Sequence, residues 1–492
     1  MTRGIQSLTF TARESWLLII IAVVAALFAR LVSLGLYPLT DPTEGRYAEI
    51  GRRIFESADW VTPWLERGVP FWGKPPLSFW MTGSGLQLLG ESAFAARLPH
   101  FLAGVLIVWL VYDLFKRQNL SKEAHYAAAL TAGSLILYIS SGTVMTDAAL
   151  ALGCALAMRG FWLAVNGPIE HRNRECYLFF IGLAIGLLAK EPVIVVISLI
   201  PIGLWTIYAR QLKTVFVDLP WVRGLLLMLI ITLPWYVLAE LRTPGFIEYF
   251  IVGEHWDRYL QKNWAGDLYG KGHGRPLGFI WVFALIAMLP WTILLPILAW
   301  RTRKAPRDEA PKSYRHMLVY FALSGFFLLV FFSLSSNVLI SYTLPSVAPL
   351  ACLAAVWLAR RQAETAIRRT LVAGLVFTTV LSLTAVGYIG LTDEHKNLSA
   401  ETLVQTWRNS AQAGEPLYFY PWQPQSSKFY TSGQARVFKT VPDIEAATAS
   451  GEPLFIALKD DQLRAIPEAL QSQLSDPQRV GQYTLFRMNQ AK

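Results

Sequence analysis

The chain returns repeatedly to apolar runs of about 15 to 24 residues, and this feature limits its fold more than any other. A helix of about 20 residues crosses ~30 Å of hydrocarbon, and it is one of the few structures that satisfies its own backbone polar groups in lipid. The runs lie near 15–37, 98–115, 125–142, 147–165, 176–189, 192–209, 219–239, 277–300, 317–334, 342–359 and 370–390, which predicts roughly 11 spanning helices. The first run is longer than the apolar part of a signal peptide, and no small-residue cleavage site follows it, so a retained helix is expected. With 54% hydrophobic residues, 16% charged residues and a mean hydropathy of +0.38, an ordinary soluble enzyme is excluded.

Charge placement then sets orientation. Basic clusters at Lys116/Arg117/Lys122, Arg172/Arg174, Arg210/Lys213, 301–315 and Arg360/Arg361/Arg368/Arg369 fall in alternate loops, which the positive-inside rule assigns to the cytoplasm together with Arg3 and Arg13 at the N-terminus. The formal charge of +10 is therefore a topology signal, and no nucleic-acid partner is expected. Cys154, Cys176 and Cys352 lie in or beside apolar runs without metal-ligand spacing, so packing is their expected role.

The opposite face receives the 38–97 loop, the short turns near 143–147 and 190, the 240–275 loop, the 335–341 turn and the tail after about 391. In the first loop, Tyr47, Ile50, Ile54 and Phe55 recur at helical spacing opposite Glu49, Arg52, Arg53 and Glu56, predicting an amphipathic helix on the membrane surface that ends before Asp59. In the tail, strands are expected at 416–421, 435–440 and 453–458, with helical runs at 442–449 and 462–474. The predicted fold class is thus mainly α: a polytopic membrane domain over 1–390, and a small α/β domain over 391–492.

The polar groups of this face are Asp41, Glu44, Arg46, Lys74, Asp147, Lys190, Glu254, His255, Arg258 and Tyr342. Several stand at helix ends, where an ionisable group is costly unless paired or hydrated. Lys and Arg mixed with carboxylates can hold a phosphorylated molecule and leave an acid to orient an acceptor. Each residue also has a plainer use. Asp41 suits a cap or turn with Pro42, Glu44 and Arg46 a surface ion pair, and Asp147 a helix N-terminus. Lys74 could snorkel, Lys190 could pair with Glu191, Glu254 with Arg258 four residues on, and a lone His255 could be structural. Arg30 and Arg159, near the ends of apolar runs, are expected to snorkel.

These residues stand in stretches that resemble the GT-C glycosyltransferases using polyprenyl-phosphate sugars, the superfamily of the lipid A aminoarabinose transferase and the protein O-mannosyltransferases. The stretches are Glu44-Gly-Arg-Tyr-Ala-Glu-Ile50, Ala58-Asp-Trp-Val-Thr-Pro63, Lys74-Pro-Pro-Leu77 with Trp80, Ala96-Arg-Leu-Pro99, Thr146-Asp147, Ala189-Lys190, Leu233-Pro-Trp235, Glu254-His255 with Arg258, Leu289-Pro-Trp291 and Ser341-Tyr-Thr-Leu-Pro345. The resemblance implies an inverting transfer of a sugar from undecaprenyl phosphate to a lipid A, lipid or glycan acceptor at the periplasmic face of a bacterial inner membrane. It assigns the donor phosphate to Lys74, Arg258 and Tyr342, to which Arg46 is added from its charge. It gives carboxylate roles to the first loop and to Asp147. Lys190, Glu254 and His255 remain further site candidates.

Two departures stand out. Thr43 occupies the place of an Asp that usually precedes Glu44, leaving Asp41 and Glu44 as alternatives, and the lysine usual shortly before Tyr342 is absent. The aminoarabinose transferase pattern also carries more membrane helices before a larger outer domain, whereas about 11 helices followed by about 100 residues are expected here. No ligand set marks a cofactor, and a divalent metal ion among the acidic groups stays open. The alternatives are a transporter or flippase of an anionic polyprenyl lipid, and a protein O-glycosyltransferase of the same fold.

Overall fold

The computed structural model describes residues 12–190, 192–261, 264–270, 274–309, 312–412, 414–449 and 452–488. Arg3 and Glu191 lie outside them. The chain is mainly helical and divides into two compact units. One comprises the described parts of Met1–Val32, Phe71–Ser78 and Pro99–Leu383, and the other Ser33–Pro70, Phe79–Leu98 and the described part of Thr384–Lys492.

Among the described residues, seven helices are long and apolar enough to cross a membrane: Trp16–Ser33, Ala93–Lys116, Thr146–Asn166, Trp221–Arg242, Lys312–Ser333, Ile340–Ala359 and Glu364–Leu391. An eighth candidate is the pair Ile280–Ala287 and Trp291–Arg301, bent by 73°. The expected 277–300 span is therefore broken, at Pro290, which has no N–H to continue the first helix. The expected 125–142 span is broken too, into Ser121–Ala132 and Leu135–Ser140. Its break lies against Trp291, whose indole N–H donates to the Leu130 carbonyl at 2.7 Å and whose ring would be 2.5 Å from a Cβ at Gly133. Arg172–Ala189 and the shorter Val193–Ala209 flank Pro192.

In the first unit, Thr146–Asn166 packs along Arg172–Ala189 through small residues. A Cβ at Gly160 would lie 2.6 Å from the Phe179 nitrogen, and one at Gly182 would lie 2.5 Å from that of Ala157. Only glycine permits such approach of two helix backbones. Arg30 and Arg159 do not snorkel. Arg30 is buried and donates to the Tyr138 and Ile139 carbonyls at 2.9 and 2.8 Å, satisfying the C-terminal end of the Leu135–Ser140 helix. Arg159 pairs with Asp113 and, at 2.5 Å, with Glu175. A buried guanidinium with partners of its own has no need to reach the interface.

In the second unit the loop helix forms over Thr43–Ser57 and ends at Ala58, whose φ of 54° is left-handed. Its charged side is not solvated as expected. Arg52 and Glu49 are both buried, joined at 2.7 and 3.0 Å, and Arg53 also reaches Glu49 at 2.6 Å. A short hairpin, β1 (Trp64–Glu66) and β2 (Val69–Pro70), follows.

The same unit contains a five-stranded sheet of β3 (Leu417–Phe419), β4 (Arg436–Val437), β5 (Leu454–Leu458), β6 (Leu474–Val480) and β7 (Tyr483–Met488), in the order β4-β3-β5-β7-β6. β3 runs parallel to β4 and β5, and β7 antiparallel to β5 and β6. All five residues of β5 are buried. Phe455 and Ala457 join Leu403, Val404 and Leu485 on one face, and Leu454, Ile456 and Leu458 join Ile444, Ile466 and Phe486 on the other. A strand covered on both faces reads as a continuous apolar run, and each large side chain buried there contributes roughly 1.5–3 kcal/mol. The 462–474 run, expected to be one helix, forms Asp460–Ala465 and Glu468–Gln471 around Pro467.

Candidate functional site

Within the first unit, two clusters collect six of the ten candidates. The first is built on Glu254, whose segment Glu248–Asp257 is wound as a π-helix, a rare and wide turn often found at functional sites. Glu254 is buried, and its carboxylate receives Lys74 Nζ at 3.0 Å and Arg258 Nη1 at 2.9 and 3.2 Å. Tyr249 donates to it at 3.2 Å, and Asp267 stands 3.7 Å from Arg258. Two cations thus face two carboxylates. Burial raises the Tyr249 phenol above its ordinary value, as do the Glu254 and Asp267 charges, against a hydrogen bond from the Leu268 N–H. Tyr249 therefore remains a neutral donor.

The surrounding loops hold this arrangement in place. The Trp72 N–H donates to the Tyr269 hydroxyl at 2.9 Å and its indole to Thr243 at 3.1 Å, which fixes the stretch carrying Lys74. Asn337 donates to the carbonyls of Arg258 and Gln261 at 2.7 and 2.6 Å, tying down the end of the π-helical segment. The Nδ1 of His255 is the donor to the Phe250 carbonyl, since a carbonyl can only accept.

The second cluster is Lys190, Asp147 and Tyr342. Lys190 donates to Asp147 at 2.7 Å and lies 4.2 Å from the centre of the Tyr342 ring. The expected alternative of a Lys190–Glu191 pair lies outside the described residues. Between the two clusters runs a groove of ≈460 Å³, touched by Glu254, His255, Arg258 and Tyr342 and walled by apolar side chains such as Val193, Val196, Ile251 and Phe332. A cation in the lining of a largely apolar groove fits an amphiphile with an anionic head and a hydrocarbon tail.

Asp41, Glu44 and Arg46 belong to the second unit, where each has its own surroundings. Glu44 does not pair with Arg46. It accepts two hydrogen bonds from buried Arg97, at 2.8 and 2.7 Å, and further ones from Thr40. Asp41 makes no side-chain cap for the helix that follows. Its carboxylate accepts from the Ser426 N–H at 2.7 Å and from the Ser426 hydroxyl. Burial pushes the Asp41 carboxyl above its ordinary value, against those bonds and the nearby Arg46 charge. The Arg46 Nε is buried with no partner among the described residues. Among those residues, no three His, Cys, Asp or Glu side chains converge as metal ligands.

Asp267, Tyr249 and Asn337 are site residues that the sequence does not flag. Asp267 and Asn337 lie in loop stretches without periodicity and Tyr249 among apolar neighbours of the Glu248–Asp257 segment, and only the Glu254/Arg258 spacing of four was legible.

Residues 15–250 match the family model described as dolichyl-phosphate-mannose-protein mannosyltransferase. The undecaprenyl phosphate-alpha-4-amino-4-deoxy-L-arabinose arabinosyl transferase of Aeromonas salmonicida is 30% identical over 335 residues, covering 66% of this chain and 57% of its own length. A relative of the same description from Pseudomonas fluorescens is 29% identical over 407 residues, covering 78% of this chain and 65% of its own. The chain thus spans less than two thirds of the length of these curated relatives. The crystal structure of ArnT from Cupriavidus metallidurans bound to undecaprenyl phosphate matches with a TM-score of 0.78 at 19% identity, covering 97% of this chain and 98% of that one. Its apo structure matches with a TM-score of 0.77. These matches establish the fold.

Proposed function

We propose that this chain, a multi-pass membrane protein of the ArnT-like GT-C superfamily, transfers a sugar from undecaprenyl phosphate to a lipid A, other lipid or glycan acceptor. The carrying observation is the pair of cations, Lys74 and Arg258, gathered on one buried carboxylate beside an apolar groove. The sugar donor comes from the descriptions of its relatives, and the acceptor class from the resemblance carried by the sequence motifs.

In this scheme the polyprenyl tail lies along the groove and the phosphate takes over Lys74 and Arg258 from Glu254. The acceptor hydroxyl oxygen attacks the anomeric carbon from the face opposite the phosphate. The carbon–oxygen bond to the phosphate breaks, its electron pair stays on the phosphate, and the hydroxyl proton passes to a carboxylate. Charge grows on the leaving oxygen as that bond lengthens, so preorganised cations stabilise the transition state more than the ground state. Asp147, held by Lys190, is the carboxylate we assign to the acceptor side. Tyr342 shields that pair, and His255 shapes the groove. Glu44 we assign to holding the first loop, because Arg97 and Thr40 occupy its oxygens.

We further propose 11 crossings in a bacterial inner membrane, with the N-terminus cytoplasmic and the 391–492 domain periplasmic, from the apolar runs and the alternation of basic loops. Purified protein given labelled undecaprenyl-phosphate sugar and envelope lipid tests the proposal. Release of free carrier phosphate with labelled acceptor is expected, and is expected to disappear in Lys74→Ala and Arg258→Ala. Lipid movement across vesicles without bond cleavage would identify a flippase instead.

A further inference from the structure

The second unit contains a cavity of its own, of ≈270 Å³, lined by Asp41, Lys396, Trp422, Gln425 and Tyr483 among others. At ~30 Å³ per water this is room for about nine waters, or one substituted sugar ring. Tyr483 is only 4% exposed, yet its buried hydroxyl has no partner among the described residues, and neither does the amide oxygen of Gln425. Buried polar atoms are nearly always bonded, so two orphans beside one cavity can pair with donors and acceptors brought by its occupant, water or a ligand.

The other walls narrow the chemistry. Asp41 presents a carboxylate fixed by the Ser426 N–H and hydroxyl, which accepts hydrogen bonds and repels an anion. Lys396 does not offset that repulsion, being paired with Asp393 at 2.6 Å. Trp422, 51% exposed, offers an aromatic surface, and Lys459 lies 4.6 Å over its ring and 5.2 Å from that of Tyr483. The wall at the β6–β7 turn is rigid. Gly481 has a φ of +57°, and a Cβ there would lie 2.6 Å from the Lys396 carbonyl, while Gln482 donates to the Asn397 carbonyl at 3.2 Å. Only glycine fits such a position.

We propose that this cavity binds one neutral or amino-substituted sugar ring of a glycan or glycolipid. The ring's apolar face would meet Trp422, and its hydroxyls would meet Asp41, Gln425 and Tyr483. An aromatic platform beside a fixed carboxylate and uncharged amide and hydroxyl groups suits hydroxyl donors, and the Asp41 carboxylate disfavours phosphate or carboxylate ligands. The inference is independent of the donor cluster.

The test uses full-length protein in a detergent without a sugar head group, titrated with D-glucose, D-galactose and D-glucosamine and followed by saturation-transfer NMR. Saturable binding of at least one sugar is expected, weakened at least tenfold by Trp422→Ala and by Tyr483→Phe. Tyr483→Phe removes only the unpaired hydroxyl, so its ligand-free Tm should match or exceed the parent's. Undecaprenyl phosphate affinity should be unchanged in both variants and reduced in Lys74→Ala, which separates this site from the donor site. No saturable binding of any of the three sugars, or equal binding in both variants, overturns the proposal.

Discussion

The Lys74 ammonium meets the Glu254 carboxylate at 3.0 Å across 180 residues of sequence, and the same carboxylate holds Arg258 at 2.9 Å. Two cations are thereby kept in place by a removable partner. Replacing Lys74 or Arg258 by Ala should slow transfer about 10²–10³-fold, the scale of losing one preorganised charge, ~2.7–4 kcal/mol. Glu254→Gln should tighten binding of free undecaprenyl phosphate, because it removes the competitor. Carrier release and equilibrium binding read the two effects, and weaker phosphate binding in Glu254→Gln would show that Glu254 is not displaced.

Asp147 and Lys190 have side-chain exposures of 8% and 5%. Removing one partner of such a pair costs roughly 3–5 kcal/mol, whereas removing both costs much less. Asp147→Ala should therefore lower the Tm, and Asp147→Ala with Lys190→Met should restore most of it without restoring transfer. Recovery of transfer together with Tm would make the pair purely structural.

Glu44 and Arg97 are both buried, with side-chain exposures of 2% and 0%. Glu44→Ala strands a guanidinium and should destabilise by about 3–5 kcal/mol, read in detergent by thermal unfolding. An unchanged Tm combined with lost transfer would return Glu44 to the reacting centre.

Asp41 gives a pH dependence whose sign can be fixed. Burial raises its carboxyl above 3.8 in the folded state, so between that value and its native one the native protein binds more protons than the unfolded chain. Stability then falls as pH rises through this window and flattens above it. Asp41→Asn should remove that slope from Tm measured from about pH 4 to 7. Parallel curves for parent and variant would refute the assignment.

For the proposed orientation, a cysteine at Arg303 should react with an impermeant reagent only after permeabilisation, and one at Lys439 in intact spheroplasts. The reverse pattern would invert the topology.

The apolar runs, the basic loops and the β3 and β5 strands are local patterns readable along the chain, because length, periodicity and branching act over a few residues. β6 carries no strand pattern because Ser475-Asp-Pro477 interrupts its alternation, yet its pairing with β7 still forms. The partners of the charges were decided only by tertiary structure. Glu44 chooses Arg97 over Arg46, Lys190 takes Asp147, and Lys74 finds Glu254. Arg52 and Glu49 are buried on a helix whose pattern placed them in water. A buried charge must find an opposite one at hydrogen-bond distance, and which one comes within reach depends on how distant segments pack, which no local pattern records.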